Sequence, residues 1–186
     1  MIQRKSEHFG KALPIGFVDV VSVIPPRLYK QERDWTCSVA CLRSIASKYK
    51  DLGSEDEIVS KYKMDHGPYY AHELISCGLL DGFDYETTSK EPEPFKDLQR
   101  VYKLLAEGAT VMVETCKSFD HWLVLLAYFP NGCEFTEDHS VLMWDPYYNE
   151  TILMRASEFC DEWLSGEWAS NRIICAFLAI KGVKEK

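Results

Sequence analysis

Residues 31 to 49 read QERDWTCSVACLRSIASKY, and the fold turns on this stretch. After Cys37 the apolar positions Val39, Leu42, Ile45, Ala46 and Tyr49 recur at helical spacing. Asp34 and Thr36 are both suitable N-cap residues. Cys37 is therefore expected at or near a helix N-terminus, among unpaired backbone N–H groups and the positive end of the macrodipole. Such a setting lowers a thiol pKa and favours the nucleophilic thiolate. A thiolate that attacks a carbonyl also needs donors for the developing oxyanion. The Cys37 backbone N–H is one candidate, and the side-chain amide of Gln31, six residues earlier, is the other. A single cysteine on an apolar helix more often packs than reacts, so the catalytic reading depends on what else the chain supplies.

A cysteine nucleophile needs a base, and the base needs an orienting group. His121 opens HWLVLLAYF, an apolar run of β-favouring residues that reads as a buried strand. An imidazole at the lip of such a strand is held rigidly. Farther on, SVLMWDPYYNETILM reads as two strands joined by a turn. Asp145 ends the first, and Pro146 blocks its continuation. A carboxylate there could accept a hydrogen bond from His121 Nδ1 and leave Nε2 for the thiol. Singly, His121 reads as a strand-edge histidine and Asp145 as a turn opener. Their order after Gln31 and Cys37 makes the catalytic reading the stronger one. His139 is a second candidate base, but it sits in a polar loop without strand context on its N-terminal side.

DWTCSVACL preceded by a glutamine, GATVMVETCKSFDHWLVLLAYF and VLMWDPYYNETILMRASEFCDEW together resemble the papain-like cysteine peptidases related to the bacteriocin-processing domain, which cleaves double-glycine leader peptides. The resemblance spans about residues 20 to 180. It implies Cys37 as nucleophile, His121 as base, Asp145 as its orienting group and Gln31 in the oxyanion hole. Trp35, Ser38 and Trp122, the chain neighbours of these residues, are the candidate substrate contacts. One departure is Ser38, where the family usually has glycine; its side chain would narrow the approach to the thiol. The segment MDHGPYYAHELISCGLLDGF between cysteine and histidine is also individual, and His66 and His72 within it could line a groove.

The rest of the chain reads as helices first and strands later. A short strand is expected over 16–24, then the Cys37 helix. SEDEIVSKY carries Ser54 and Glu57 in capping-box spacing and should form a helix. YYAHELISCGLL is expected as a third helix, with Gly82 breaking the chain after it. EPEP at 91–94 leads into FKDLQRVYKLLAEG, with Gly108 as C-cap. Strands are expected over 110–116, 121–129, 140–145 and 150–154. SEFCDEWLS is a helical insert, and RIICAFLAI a closing strand. The order gives an α+β fold: a papain-like arrangement with an N-terminal helical half packed on an antiparallel β-sheet half. A single domain over 1–186, with its core at about 17–181, is expected.

Composition limits the alternatives. The chain has 186 residues, 46% of them hydrophobic and 13% aromatic, enough for a sizeable core. A net charge of −8 argues against nucleic-acid binding, which needs a basic face. No apolar run is long enough to span a bilayer, and the N-terminal segment lacks a secretory pattern. The seven cysteines, an odd number, read as reduced. A cytoplasmic location is expected on these grounds, although composition does not speak to export by a signal-independent route. Cys37 and Cys41 are four apart, not in the spacing of a structural zinc site, and no cofactor is expected. The partner is a peptide or protein substrate; oligomeric state is not encoded legibly. The reaction could be hydrolysis of a peptide or isopeptide bond. The same residues could serve a thiol-dependent acyltransferase, a transglutaminase-like enzyme or a deamidase. A catalytically silent peptide-binding module could also use this fold.

Overall fold

A computed structural model describes residues 20–65, 67, 69–88, 94–115, 120–129, 139–164 and 176–185. Helix α1 (Cys37–Ala46) begins at the cysteine itself. Helix α2 (Glu55–Tyr62) carries the full capping box: Ser54 Oγ accepts from the Glu57 N–H at 3.2 Å, and Glu57 Oε2 accepts from the Ser54 N–H at 2.7 Å. Two N–H groups that no helical carbonyl can reach are thereby satisfied. Helix α3 (Ala71–Ser76) is short. Helix α4 (Pro94–Ala106) ends before Gly108, whose φ of 89° reverses the chain as a C-cap glycine should. Helix α5 (Ala156–Leu164) is the helical insert.

The strands are β1 (Val21–Ser22), β2 (Phe83–Thr87), β3 (Thr110–Thr115), β4 (His121–Phe129), β5 (Ser140–Asp145), β6 (Glu150–Arg155) and β7 (Phe177–Val183). They form one sheet in the order β2-β7-β3-β4-β5-β6, with β1 beside the end of β4, and every pairing is antiparallel. Antiparallel neighbours bring the start of one strand beside the end of the next. The first residue of β4, His121, and the last of β5, Asp145, therefore lie at the same end of the sheet.

Side-chain alternation divides the sheet into two faces. Met112, Trp122, Val124, Leu126, Trp144, Leu178 and Ile180 pack against α1, α2 and α3. Val111, Val113, Leu123, Leu125, Val141, Met143, Phe177 and Ala179 pack against α4 and α5. All ten residues of α1 are buried. Its small residues let it lie close to the sheet, and the hydroxyl of Ser44 is satisfied on both sides. Ser44 Oγ donates to the Ala40 carbonyl at 2.8 Å and accepts from the Tyr29 N–H at 2.9 Å. Arg43 stacks over the Tyr29 ring at 4.0 Å.

The architecture is the expected α+β fold with an antiparallel sheet. It differs from expectation in three respects. The sheet is covered by helices on both faces, because β3, β4, β5 and β7 carry apolar residues at odd and even positions alike. Strand β2 is not visible as a sequence pattern: FDYET buries only Phe83 and gains its strand conformation by pairing with β7, with a register shift at Asp84/Tyr85. The first strand is two residues, Val21–Ser22, and the rest of the expected 16–24 stretch falls partly on residues outside those described. His66, Cys116, Cys133, Cys175 and the early part of the closing strand also lie outside the described residues.

Candidate active site

The site is built where the α1 N-terminus meets the end of the sheet. Cys37 is the first residue of α1 and is only 3% exposed. The main chain at Trp122 and Ser38 lies close enough to its sulfur to favour the thiolate. The contact with Trp122 sets the thiol against the main chain next to His121. His121 Nε2 lies 2.9 Å from Asp145 Oδ1, and both side chains are buried. Asp145 Oδ1 also accepts from the Tyr147 N–H at 2.8 Å and the Tyr148 N–H at 3.4 Å. The turn after Pro146 thus holds the carboxylate in place with main-chain donors. Asn149 completes that turn in the left-handed region, with φ 55°.

Cys37 and His121 share a cavity of about 220 Å³ with Asp34, Trp35, Asp120, Tyr147 and Tyr148. A larger cavity of about 550 Å³ lies between α2 and the turn after α3, where its lining includes Lys50, Glu57, Lys61, Cys77 and Asp81. Among the described residues that line it the one thiol is Cys77, which donates to the Leu74 carbonyl, and there is no histidine. Size alone would favour the larger cavity, but a nucleophile beside a base favours the smaller one.

Gln31 is buried in the loop that precedes α1, and its N–H donates to the Pro146 carbonyl at 3.0 Å. This bond ties the loop before Cys37 to the turn after Asp145. Gln31 Nε2 donates to the Arg33 carbonyl at 2.7 Å, while its Oε1 has no hydrogen-bond partner. The cavity lining does not include Gln31. The same loop is held from α2 by Glu55, a fully buried carboxylate whose two oxygens accept from the Glu32 N–H at 3.1 and 3.2 Å.

Of the three candidate substrate contacts, Trp35 lines the cavity. The side chains of Ser38 and Trp122 do not, since both are fully buried. Ser38 Oγ accepts from the Tyr69 N–H at 3.2 Å, and Trp122 Nε1 donates to the Tyr69 carbonyl at 3.0 Å. They clasp Tyr69 from the core side instead of facing the cavity. His72 stacks on Tyr70 and is absent from the cavity lining. His139 is buried beside Tyr102 and Tyr128, which pack on the opposite side of the sheet from α1. Cys41 is one turn beyond Cys37, fully buried, with its thiol on the Trp122 carbonyl at 3.2 Å. No group of three or more metal-ligating side chains occurs among the described residues. Asp34, Asp120, Tyr147 and Tyr148 are the lining residues that sequence patterns did not mark as substrate contacts. The Tyr147–Tyr148 pair directly after Asp-Pro is the local signal that could have marked them.

Two expectations are reversed. Asp145 engages Nε2 rather than Nδ1. The cysteine sulfur lies beside the main chain of His121 and Trp122, and Nδ1 is the ring nitrogen nearer that main chain. The Cys37 thiol is also not lowered. Burial pushes it up to about 11 from an ordinary 9.0, and a Coulombic contribution from Glu114 adds to the rise. The N–H donors of Trp122 and Ser38 oppose this without overcoming it. The native state therefore keeps this proton in a range where the unfolded chain has lost it. The resulting stability is fully present below pH 9 and is lost as pH rises through 11, a change of roughly 2–3 kcal/mol. Urea unfolding of the wild type should weaken more steeply between pH 8.5 and 10.5 than that of Cys37→Ala. Identical pH slopes would contradict the burial argument.

Neither a family model nor a curated protein matches this chain. Solved structures do match it. The peptidase domain of Streptococcus ComA, a bifunctional ABC transporter involved in a quorum-sensing pathway, aligns with TM-score 0.52 and 17% identity, over 86% of this chain and 98% of that one. UfSP from C. elegans aligns with TM-score 0.59 and 14% identity, over 94% of this chain. The match spans 36% of the UfSP chain. At such identities the likeness is one of fold. The chain resembles the papain-like cysteine peptidases in its architecture. No described helix is long and apolar enough to cross a membrane.

Proposed function

We propose that the protein is a cysteine peptidase that hydrolyses a peptide or isopeptide bond. The observation that carries this reading is the shared cavity of Cys37 and His121, with Asp145 2.9 Å from the histidine's far nitrogen. The raised thiol pKa means that the resting site holds a neutral thiol. His121 Nδ1 takes the Cys37 proton as the sulfur attacks the substrate carbonyl. Asp145 keeps Nε2 protonated and stabilises the imidazolium as it forms. In this reading the Cys37 N–H receives the oxyanion, and Gln31, which does not line the resting cavity and keeps one Nε2 hydrogen on the Arg33 carbonyl, must turn its second hydrogen toward the cavity to act as the other donor. The imidazolium then protonates the leaving amine. Water deprotonated by His121 attacks the thioester and releases the acid.

A direct test is a proteome-derived peptide library made with a glutamyl-specific protease, incubated with the protein and analysed by mass spectrometry for new termini. Termini made by the wild type and absent with Cys37→Ala would support hydrolysis. Amine incorporation or glutamine deamidation in their place would redirect the reading to acyl transfer or deamidation. No Cys37-dependent product of any kind would leave a binding module. Gln31→Ala should lower kcat by about 10²–10³-fold, the usual loss for one oxyanion donor. Unchanged turnover at saturating substrate would remove Gln31 from the mechanism.

A further inference from the structure

The lining of the cavity narrows the substrate class, an inference that rests on the peptidase reading. Among the described residues, its lining side chains with a formal charge, apart from Cys37 and His121, are the two carboxylates Asp34 and Asp120, with no lysine or arginine. Its other walls are the rings of Trp35, Tyr147 and Tyr148. The two tyrosines meet edge to face at 5.0 Å and are 46% and 63% exposed, so the pair offers ring area to solvent beside the thiol. Asp120 is oriented by Tyr70, whose hydroxyl lies 3.2 Å from Asp120 Oδ2. Trp35 already accepts a guanidinium from within the chain: Arg33 lies 5.6 Å from its ring centroid, with its own charge answered by Asp56. Carboxylates beside aromatic faces match a cationic side chain with an apolar stem. The rings take the methylenes and the cation–π contact, and the carboxylates take the charge. An acidic side chain placed there would meet both aspartates and the thiolate that forms during attack.

We infer that this cleft selects peptides carrying a lysine or arginine side chain close to the scissile bond, held by Asp34 and Asp120 against Trp35, Tyr147 and Tyr148. The peptide library described above reads this directly, because glutamyl-specific digestion preserves lysine and arginine. Lysine or arginine should be enriched within about three residues of the Cys37-dependent cleavage site. For a matched pair of fluorogenic peptides, kcat/KM should favour lysine over glutamate at that position by about 10²-fold. Asp34→Asn should cut that ratio by about tenfold or more, whereas Glu107→Gln, an equal charge change far from the cavity, should leave the ratio as in the wild type.

A second measurement needs no substrate. Cationic and anionic methanethiosulfonates of similar size should modify Cys37 with a rate ratio about tenfold above that of a free thiol in solution, falling in Asp34→Asn. Cleavage with no basic preference would overturn this inference and leave the peptidase reading standing. Charge-selective labelling without any cleavage would overturn the peptidase reading and, with it, the selection of a scissile bond. A Cys37 that neither reagent reaches, or that both reach at the ratio seen in free thiol, would overturn the inference.

Discussion

Replacing Cys37 by alanine should abolish turnover, with a loss of at least about 10⁴-fold in kcat, while the fold persists. Among the described lining residues the sulfur is the group suited to form the acyl intermediate, and neither the oxyanion donors nor His121 can substitute for it. Cys37 is buried in α1. Losing one sulfur atom there leaves a small void at a cost of about 1 kcal/mol, well below the stability of an ordinary domain. Circular dichroism and a cooperative urea transition should therefore resemble the wild type. Cys37→Ser should be comparably inactive, because a serine hydroxyl is a far poorer nucleophile than a thiol matched to this base. The measurement is kcat for any substrate found in the library screen, with contaminating protease excluded by the parallel variants. A Cys37→Ala protein that keeps a tenth of the wild-type rate would end the thiol mechanism.

Asp145→Asn should lower kcat by about 10²–10⁴-fold with a much smaller change in KM. One oxygen of Asp145 serves His121, Tyr147 and Tyr148 together. An asparagine oxygen at that position can still accept from the two tyrosine N–H groups, so the turn should hold. The negative charge that favours imidazolium is lost. An amide that turns its NH₂ toward the ring would also force the proton onto Nδ1, where the thiol needs an acceptor. The deficit should shrink toward pH 10, because hydroxide begins to deprotonate Cys37 as its value of about 11 is approached. His121→Ala should behave similarly, and the double variant should be little worse than either single one, since the two act as a unit. Full activity in Asp145→Asn, or a deficit independent of pH, would remove the orienting role.

Local patterns were enough for much of the framework. Helical spacing from Cys37 places the cysteine at the first turn of α1, where Thr36 holds the N-cap position without a side-chain capping bond, and Ser54 with Glu57 sets the start of α2. The apolar runs at 121–129 and 140–145 coincide with β4 and β5, because a buried strand in an antiparallel sheet needs an unbroken apolar stretch ended by a turn. Those two facts already put His121 and Asp145 at strand ends. That both ends meet at one edge of the sheet follows from antiparallel order, which no local window contains.

Tertiary structure alone decided the rest, in each case because the property belongs to neighbours distant in sequence. Strand β2 exists through its pairing with β7, since its own residues bury only Phe83. Both faces of the sheet are covered because α4 and α5 return to the side opposite α1. Ser38 and Trp122 are adjacent to the candidate dyad along the chain yet point into the core, where the 69–70 segment supplies their partners. Which histidine nitrogen meets Asp145 depends on the approach of α1 to the His121–Trp122 main chain. The thiol pKa shows the competition most directly. A helix N-terminus is legible in sequence and lowers it, but the burial that raises it more is a sum over contacts that only the folded chain assembles.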